Sequence, residues 1–353
     1  MNILHISRTM GQGGAEKVVY QLCTNCKNHK MFVASTGGDY VKRLNECNIE
    51  HFTIPDIDKK NPFLMLKTLY ILNKIIKQND IDIIHSHHRM ASFYSRILCI
   101  FNKNIKRVYT AHNVFFNKIK LLRFSLKNSK IVAVGDGVKN NLVDIYNIDP
   151  SNISTIYNSI EVPDVVVKAN DDIFKKNKIF IGGIGRLSEQ KGFDIFIKAL
   201  NEVIKNNKNV IGIIVGDGEL KESLKKLVSE YKLEKNILFL GYRTDVFSII
   251  KSLDFVVLSS RWEGFPLTPI EVFSQSKSII ATNITGNNEI VKDEVNGLLF
   301  EKDNYDELAK KIKMMLDVNF RKNLEKNAYN DFKKKYSFLN FVSSYEKLYD
   351  SLK

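Results

Sequence analysis

Short apolar runs alternate with amphipathic stretches along almost the whole chain. In the first half the runs are "NILHIS", "MFVAST", "IDIIHSH", "KRVYTAHN" and "IVAVG"; in the second they are "IFIGGIG", "NVIGIIVGDG", "NILFLGY", "DFVVLSS" and "SIIATN". Continuous aliphatic runs of this length read as strands buried on both faces, and the stretches between them space their apolar residues as helices do. The pattern predicts α/β architecture with doubly wound parallel sheets, in two series. The series part in "YNSIEVPDVVVKANDDIFKKNK", residues 157–178, where the period is lost. The boundary is set at residue 162, giving domains 1–162 and 163–335. A last segment, 336–353, spaces Phe338, Phe341, Val342, Tyr345, Leu348 and Leu352 as an amphipathic helix expected to pack back across the domains.

Length agrees with two domains, since 353 residues exceed the ~250–300 at which one core stops growing. A content of 44% hydrophobic and 26% charged residues is that of a globular protein. No apolar run approaches the ~18 residues of a membrane span, and "MNILHISRTM" lacks a signal peptide's charged start, so a cytoplasmic protein is expected. Cys23, Cys26, Cys47 and Cys99 are too few and scattered for a disulfide framework. The formal charge of +14 favours acidic partners such as nucleic acid, anionic lipid or a phosphorylated substrate, although lysine-rich usage raises it without any ligand.

Candidate chemistry gathers in the turns. "RWEGFPLTPIEVF", residues 261–273, sets Glu263 and Glu271 around a sharp corner. Thr268 as N-cap, Pro269 as first helical residue and Glu271 closing a capping box would explain the second glutamate locally. Glu263 is left over, and Gly264, Phe265, Pro266 and Leu267 lead backbone N–H groups into a helix start, a ready anion site. In "IFIGGIGRLSEQKGF" a strand reaches Gly185, and Arg186 and Lys191 flank the loop before the next helix. One offers a planar fork and the other a point charge to a diphosphate. Gly216 in "GDGEL" and Gly241-Tyr242-Arg243 in "LGYR" end two further strands. Four such turns on one sheet edge describe a nucleotide pocket. Near the start, Gly11, Gly13 and Gly14 open a helix near Ala15, without the G-x-G-x-x-G spacing of dinucleotide binding; a plain flexible turn would read the same way.

The order "GGAE", "HSH", "TAHN", "GRLSEQKG", "GDGEL", "LGY" and "EGFPLTPIE" resembles the retaining glycosyltransferases of family 4, over nearly the whole chain. That resemblance implies the GT-B fold of two facing Rossmann-like domains, the first on the acceptor side and the second holding the donor. It implies a UDP- or GDP-sugar donor, a glycan or lipid-linked acceptor, and no cofactor or metal. Glu263 and Glu271 match the family's Glu-x7-Glu. Carried over, Glu271 would bind the donor ribose, while Glu263 and the amides from Gly264 to Leu267 would address the sugar hydroxyls and phosphate. Arg186 and Lys191 would hold the diphosphate, with Gly185 and Gly216 in the turns around it. Gly13 and Gly14 would face it from the first domain, and His112 would point at the transferred sugar. Tyr242 and Arg243 fall where the base is held, largely by backbone. The reaction's physics agrees: a departing diphosphate gathers negative charge that fixed cations and a helix start stabilise. Neither glutamate need be a nucleophile, and the acceptor's general base is unassigned. Val272 stands where the family commonly has alanine, and Gly135-Asp136 where many members have serine, so nothing is assigned there.

Other signals count for less. All seven histidines lie in the first domain, but His85, His87 and His88 lack the spacing of a closed zinc site. Cys23 and Cys26 fall within the first helix, at core spacing. Asp56-x-Asp58 and Asp80-x-Asp82 read as solvated strand ends. Residues 115–130, "FFNKIKLLRFSLKNSK", form a basic amphipathic helix with two open readings, a docking face for an anionic membrane or a helix whose apolar side is core. With the first, the protein sits peripherally on the inner face of the cytoplasmic membrane and the acceptor is lipid-linked. Bacterial envelope polysaccharide assembly is the expected setting. A two-domain sugar-nucleotide epimerase is the alternative enzyme. A nucleic-acid module would need a basic platform rich in aromatics, and none is apparent, so no nucleic acid is expected.

Overall fold

The apolar runs form parallel strands in the computed structural model, which describes residues 1–175 and 177–353. The first sheet contains β1 (Asn2–Ile6), β2 (Lys30–Ser35), β3 (Glu50–Thr53), β4 (Ile83–Ser86), β5 (Lys106–Ala111), β6 (Lys130–Ala133) and β7 (Ile153–Thr155), in the order β3-β2-β1-β4-β5-β6-β7. Between them run α1 (Gly14–Asn25), α2 (Tyr40–Glu46), α3 (Pro62–Gln78), α4 (Arg89–Phe101), α5 (Ile119–Leu126) and α6 (Asp136–Asp144). The second sheet contains β8 (Ile179–Ile184), β9 (Val210–Val215), β10 (Ile237–Gly241), β11 (Phe255–Leu258), β12 (Ile279–Thr282) and β13 (Leu298–Phe300), in the order β10-β9-β8-β11-β12-β13. Its helices are α7 (Phe193–Ile204), α8 (Lys221–Glu230), α9 (Val246–Ser252), α10 (Leu267–Ser274), α11 (Asn287–Ile290), α12 (Tyr305–Met315) and α13 (Val318–Lys335), and α14 (Phe338–Asp350) ends the chain.

Two units result. Met1–Asn158 with Phe338–Lys353 form one, and Ser159–Ser337 the other. Sequence reading set the division at 162; it falls slightly earlier, and α14 belongs to the first unit. There Phe341, Tyr345 and Tyr349 join the core of Ile3, Val33 and Val108. Burying an aromatic side chain this completely stabilises by about 1.5–3 kcal/mol, so the terminal helix is part of that unit's fold.

In both sheets the strand order reverses beside the first strand, between β1 and β4 and between β8 and β11. Ligands of open α/β sheets bind outside the strand ends at such a switch point. Register matters there: β1 pairs with β4 so that His5 lies beside His85. Three strands escaped the sequence reading: β3, β7 and β13. All are sheet edges of three or four residues. An edge strand has one neighbour and no need of the continuous apolar run that marks the others.

Candidate active site

The second unit's glycine turns are stitched side by side. Gly185 donates its N–H to the Val215 carbonyl at 3.0 Å, Leu187 to Asp217 at 3.0 Å, and Gly216 to Gly241 at 2.8 Å. Gly216, at φ +139°, has no alternative, because a Cβ there would overlap the carbonyl oxygen of Gly185. Arg186 stands exposed beside this seam, and its side chain makes no hydrogen bond or ion pair among the described residues. Arg243 differs: its guanidinium is gripped by Asp171 at 2.8 Å and Asp245 at 2.7 Å, so it braces the connector and the start of α9. At that turn the Tyr242 ring is half exposed.

Lys191 and Glu263, far apart in sequence, meet. Lys191 lies in a short 3-10 turn over Glu189–Lys191, and its Nζ donates to Glu263 Oε1 at 2.6 Å. Ser260 Oγ donates to the same oxygen at 2.7 Å, and Gln190 Nε2 approaches Oε2 at 3.5 Å. Glu263 is only 6% exposed. An ammonium has three protons. Glu263 takes one of them and aims the other two, so the carboxylate is a mount for Lys191 and is poorly placed to attack anything itself. Ser260 was not singled out from sequence, where nothing separates it from any serine ending a strand.

The helix after the corner begins earlier than expected. α10 starts at Leu267 with Pro266 as its N-cap, at φ −69° and ψ 144°, and no side chain caps it. Thr268 therefore lies inside the helix, and the capping box that would have accounted for Glu271 does not form. Extended backbone at Pro266 hands the chain to the helix, and Pro269 fits the first turn because no intrahelical N–H is needed there. The backbone N–H groups of Leu267 and Thr268 make no hydrogen bond among the described residues. Gly264 to Leu267 are buried. A buried helix start whose amides lack partners calls for a ligand. Phe265 and Leu267 are themselves buried. Glu271 is also buried, one turn into the helix.

In the first unit Gly13 caps α1, which starts at Gly14, one residue before the predicted start. This helix start already has a counter-charge, since the Glu16 carboxylate accepts from Thr9 Oγ1 at 2.7 Å and lies where a Cβ on Gly13 would go. Across the switch point lies a layer of histidines. His5 Nδ1 is 2.9 Å from His87 Nε2, and His87 Nδ1 is 3.0 Å from His112 Nε2. His85 contacts the Tyr349 hydroxyl through Nδ1 and the Thr110 hydroxyl through Nε2, both at 2.8 Å. Burial lowers His5 to about 3 and His112 to about 4, and takes His85 and His87 well below the ordinary imidazole value. All four are neutral at pH 7. Nitrogens of His5, His85 and His87 lie within 4.8 Å of one another, a grouping that a metal ion could use. Hydrogen bonds already occupy both nitrogens of His85 and join His5 to His87, which accounts for the cluster without an ion. His88 is elsewhere: its Nδ1 accepts from the Met90 N–H at 3.2 Å and caps α4.

The remaining sequence signals resolve locally. Arg8 binds Asp56 at 3.0 Å and Asp58 at 3.1 Å, so those carboxylates are paired as well as partly solvated. Asp82 accepts the Asn2 N–H at 2.8 Å. Cys23 is buried within α1 while Cys26 is its C-cap, and burial pushes the Cys26 thiol up to about 12. The helix within 115–130 is shorter than expected, Ile119–Leu126, and its apolar residues divide: Leu122 and Leu126 are core, whereas Phe116, Ile119, Leu121 and Phe124 are exposed.

Comparison with known proteins agrees with this layout. Residues 12–162 match the model of "Glycosyltransferase Family 4" and residues 168–331 that of "Glycosyl transferases group 1". An uncharacterised glycosyltransferase of Methanocaldococcus jannaschii is 31% identical over 317 residues, 86% of this chain and 86% of its own. The Escherichia coli UDP-Gal:α-D-GlcNAc-diphosphoundecaprenol α-1,3-galactosyltransferase is 26% identical over 99% of this chain and 96% of its own. The crystal structure of Anabaena HepE in complex with UDP-glucose superposes with a TM-score of 0.87 at 20% identity, covering 99% of this chain and 100% of that one.

Proposed function

The chain belongs to the family 4 glycosyltransferases, nucleotide-sugar enzymes with two Rossmann-like domains of the GT-B fold, and from that premise we propose a substrate, a stereochemical course and a set of working residues. The donor is a nucleoside diphosphate sugar, with UDP as the first nucleotide to test, and the sugar passes with retention to a hydroxyl of a lipid-linked glycan in bacterial envelope polysaccharide assembly. Relatives named for a diphosphoundecaprenol acceptor and an α product support the acceptor class and the stereochemistry.

One observation carries the reading. The turn after β8 and the corner after β11, ends of paired strands, bring together an uncommitted cation, Arg186, a shared cation, Lys191, and the partnerless amides of Leu267 and Thr268. Positive groups held in place with no anion of their own suit a pyrophosphate that becomes more negative as it leaves, and they need no reorganisation when it does. Lys191 keeps one proton on Glu263 and gives its others to phosphate oxygens. Arg186 supplies the fork. Glu271 holds the ribose, the turns at Gly185, Gly216 and Tyr242 line the nucleotide, and His112, with Gly13 and Gly14, serves the sugar side.

A thermal-shift panel of nucleotide sugars tests this. A ligand present at 100 times its Kd stabilises by about 2.7 kcal/mol, so the correct donor raises the midpoint by several degrees, and Arg186→Ala cuts that rise to about half or less while leaving the ligand-free midpoint unchanged. A panel without any shift, or a shift that survives Arg186→Ala and Lys191→Ala alike undiminished, overturns the assignment.

The membrane side of the proposal rests on the first unit. Phe63, Leu66 and Tyr70 on α3, Phe101 at the end of α4, and Phe116 and Phe124 around α5 are all exposed. Lys118, Lys120 and Arg123 stand among the last of these. Apolar side chains edged by lysine and arginine suit an anionic bilayer surface, and no helix among the described residues is long and apolar enough to cross one.

A further inference from the structure

A row of imidazoles runs from the enclosed ring of His5 on β1, through His87, to the partly exposed ring of His112. Successive ring planes lie within 16° and 29° of each other, and the nitrogens are 2.9 and 3.0 Å apart, as in-line N–H···N bonds require. A neutral imidazole has one N–H and one bare nitrogen. Fixing either bond therefore fixes the other. Protons sit on Nδ1 throughout, and the row donates from His5 towards His112, or they sit on Nε2 throughout and it donates the opposite way.

The enclosed end decides between them. His5 Nε2 is buried and has no hydrogen-bond partner. With protons on Nε2 that atom is an orphaned N–H in the interior, the rarer and more unfavourable of the two defects; with protons on Nδ1 it is an unused lone pair. An imidazolium at His87, donating both ways, would place a full charge in a site that is itself enclosed. We infer that the row holds His112 as its Nδ1–H tautomer, with His5 and His87 as positioning residues, so that the free edge of His112 presents a hydrogen-bond donor. Among the described residues Nδ1 of His112 has no acceptor. It fits an oxygen acceptor such as a sugar hydroxyl, and it cannot deprotonate the attacking hydroxyl through that atom. This consequence for the sugar rests on the proposed function; the tautomer does not.

The test is a long-range proton–nitrogen correlation spectrum of the full chain, labelled with nitrogen-15 at histidine and recorded at pH 7.5 without donor or acceptor. His112→Asn assigns the resonances. The expected spectrum has a protonated Nδ1 and a bare Nε2 at His112, with the same pattern at His5 and His87. A protonated Nε2, or an imidazolium, at His112 overturns the inference whatever the enzyme transfers. His87→Ala removes the partner of Nε2 and should replace the single pattern at His112 by a mixture of both tautomers. A single pattern retained in the folded variant also overturns it. Should that variant not fold, the wild-type spectrum decides alone.

Discussion

Arg186 is the residue at which structure and function separate most cleanly, because nothing in the fold depends on its side chain. Arg186→Ala should leave the unfolding midpoint within error of wild type. A charge-assisted hydrogen bond is worth about 1.5–3 kcal/mol, so kcat/KM should fall by roughly 10- to 100-fold, as steady-state assays would read. Lys191→Ala should abolish measurable transfer but also lower the midpoint, since it strands Glu263, which is only 6% exposed, without its ammonium. Glu271→Ala should abolish transfer with the fold intact, read as lost activity at an unchanged far-ultraviolet spectrum. Transfer surviving both Lys191→Ala and Glu271→Ala would remove the pocket. The sequence allowed these residues to be picked because turn chemistry and cation spacing are local. It could not reveal that Lys191 donates to Glu263, or that Arg243 is held by Asp171 as well as by the neighbouring Asp245, because Glu263 and Asp171 are brought in from distant parts of the chain.

Among the elements, α10 and α14 show where sequence reading holds and where it stops. Periodicity locates α14, and helix-start signals locate α10. The start of α10 shifted because Pro266 and Pro269 both satisfy helix-start rules, and which one wins depends on the turn at Gly264, packed against Gly286. The missed strands β3, β7 and β13 are short edges with no apolar run to betray them. Of the histidine layer, local sequence shows His85 and His87 in "HSHH" and His112 in "TAHN", but not that they meet; His5 joins them through strand register, which no local pattern encodes. Two predictions belong here. Gly216→Ala forces a methyl into the Gly185 carbonyl at a backbone angle that alanine avoids, so the midpoint should drop by several degrees and donor binding should weaken, measured by calorimetry. Deleting residues 338–353 removes Phe341, Tyr345 and Tyr349 from the core. At about 1.5–3 kcal/mol each, that loss approaches the whole ~5–15 kcal/mol stability of a domain. The truncated chain should show no cooperative thermal transition for the first unit by circular dichroism.

For the whole molecule, the uneven placement of histidines sets the acid response. All seven lie within the first unit, and burial lowers every one. Between the folded values, about 3 for His5 and about 4 for His112, and the ordinary 6.5, the unfolded chain binds more protons than the folded one. Stability is then complete above 6.5 and falls as pH drops towards 4. Protection of the β1 and β4 amides, taken relative to the intrinsic exchange rate at each pH, should fall between pH 6 and 4 before the fluorescence of Trp262, the single tryptophan and a reporter of the second unit, changes. A formal charge of +14 and the exposed aromatic residues of α3 to α5 predict binding to vesicles containing anionic lipid, weakened by salt and by Phe116→Ser with Phe124→Ser, as co-sedimentation would measure. The most direct measurement, however, is where a bound diphosphate comes to rest. A crystal structure with UDP should place both phosphates on Arg186, Lys191 and the amides of Leu267 and Thr268, with the ribose at Glu271; UDP bound away from the ends of β8 and β11, with those groups untouched, would contradict the account.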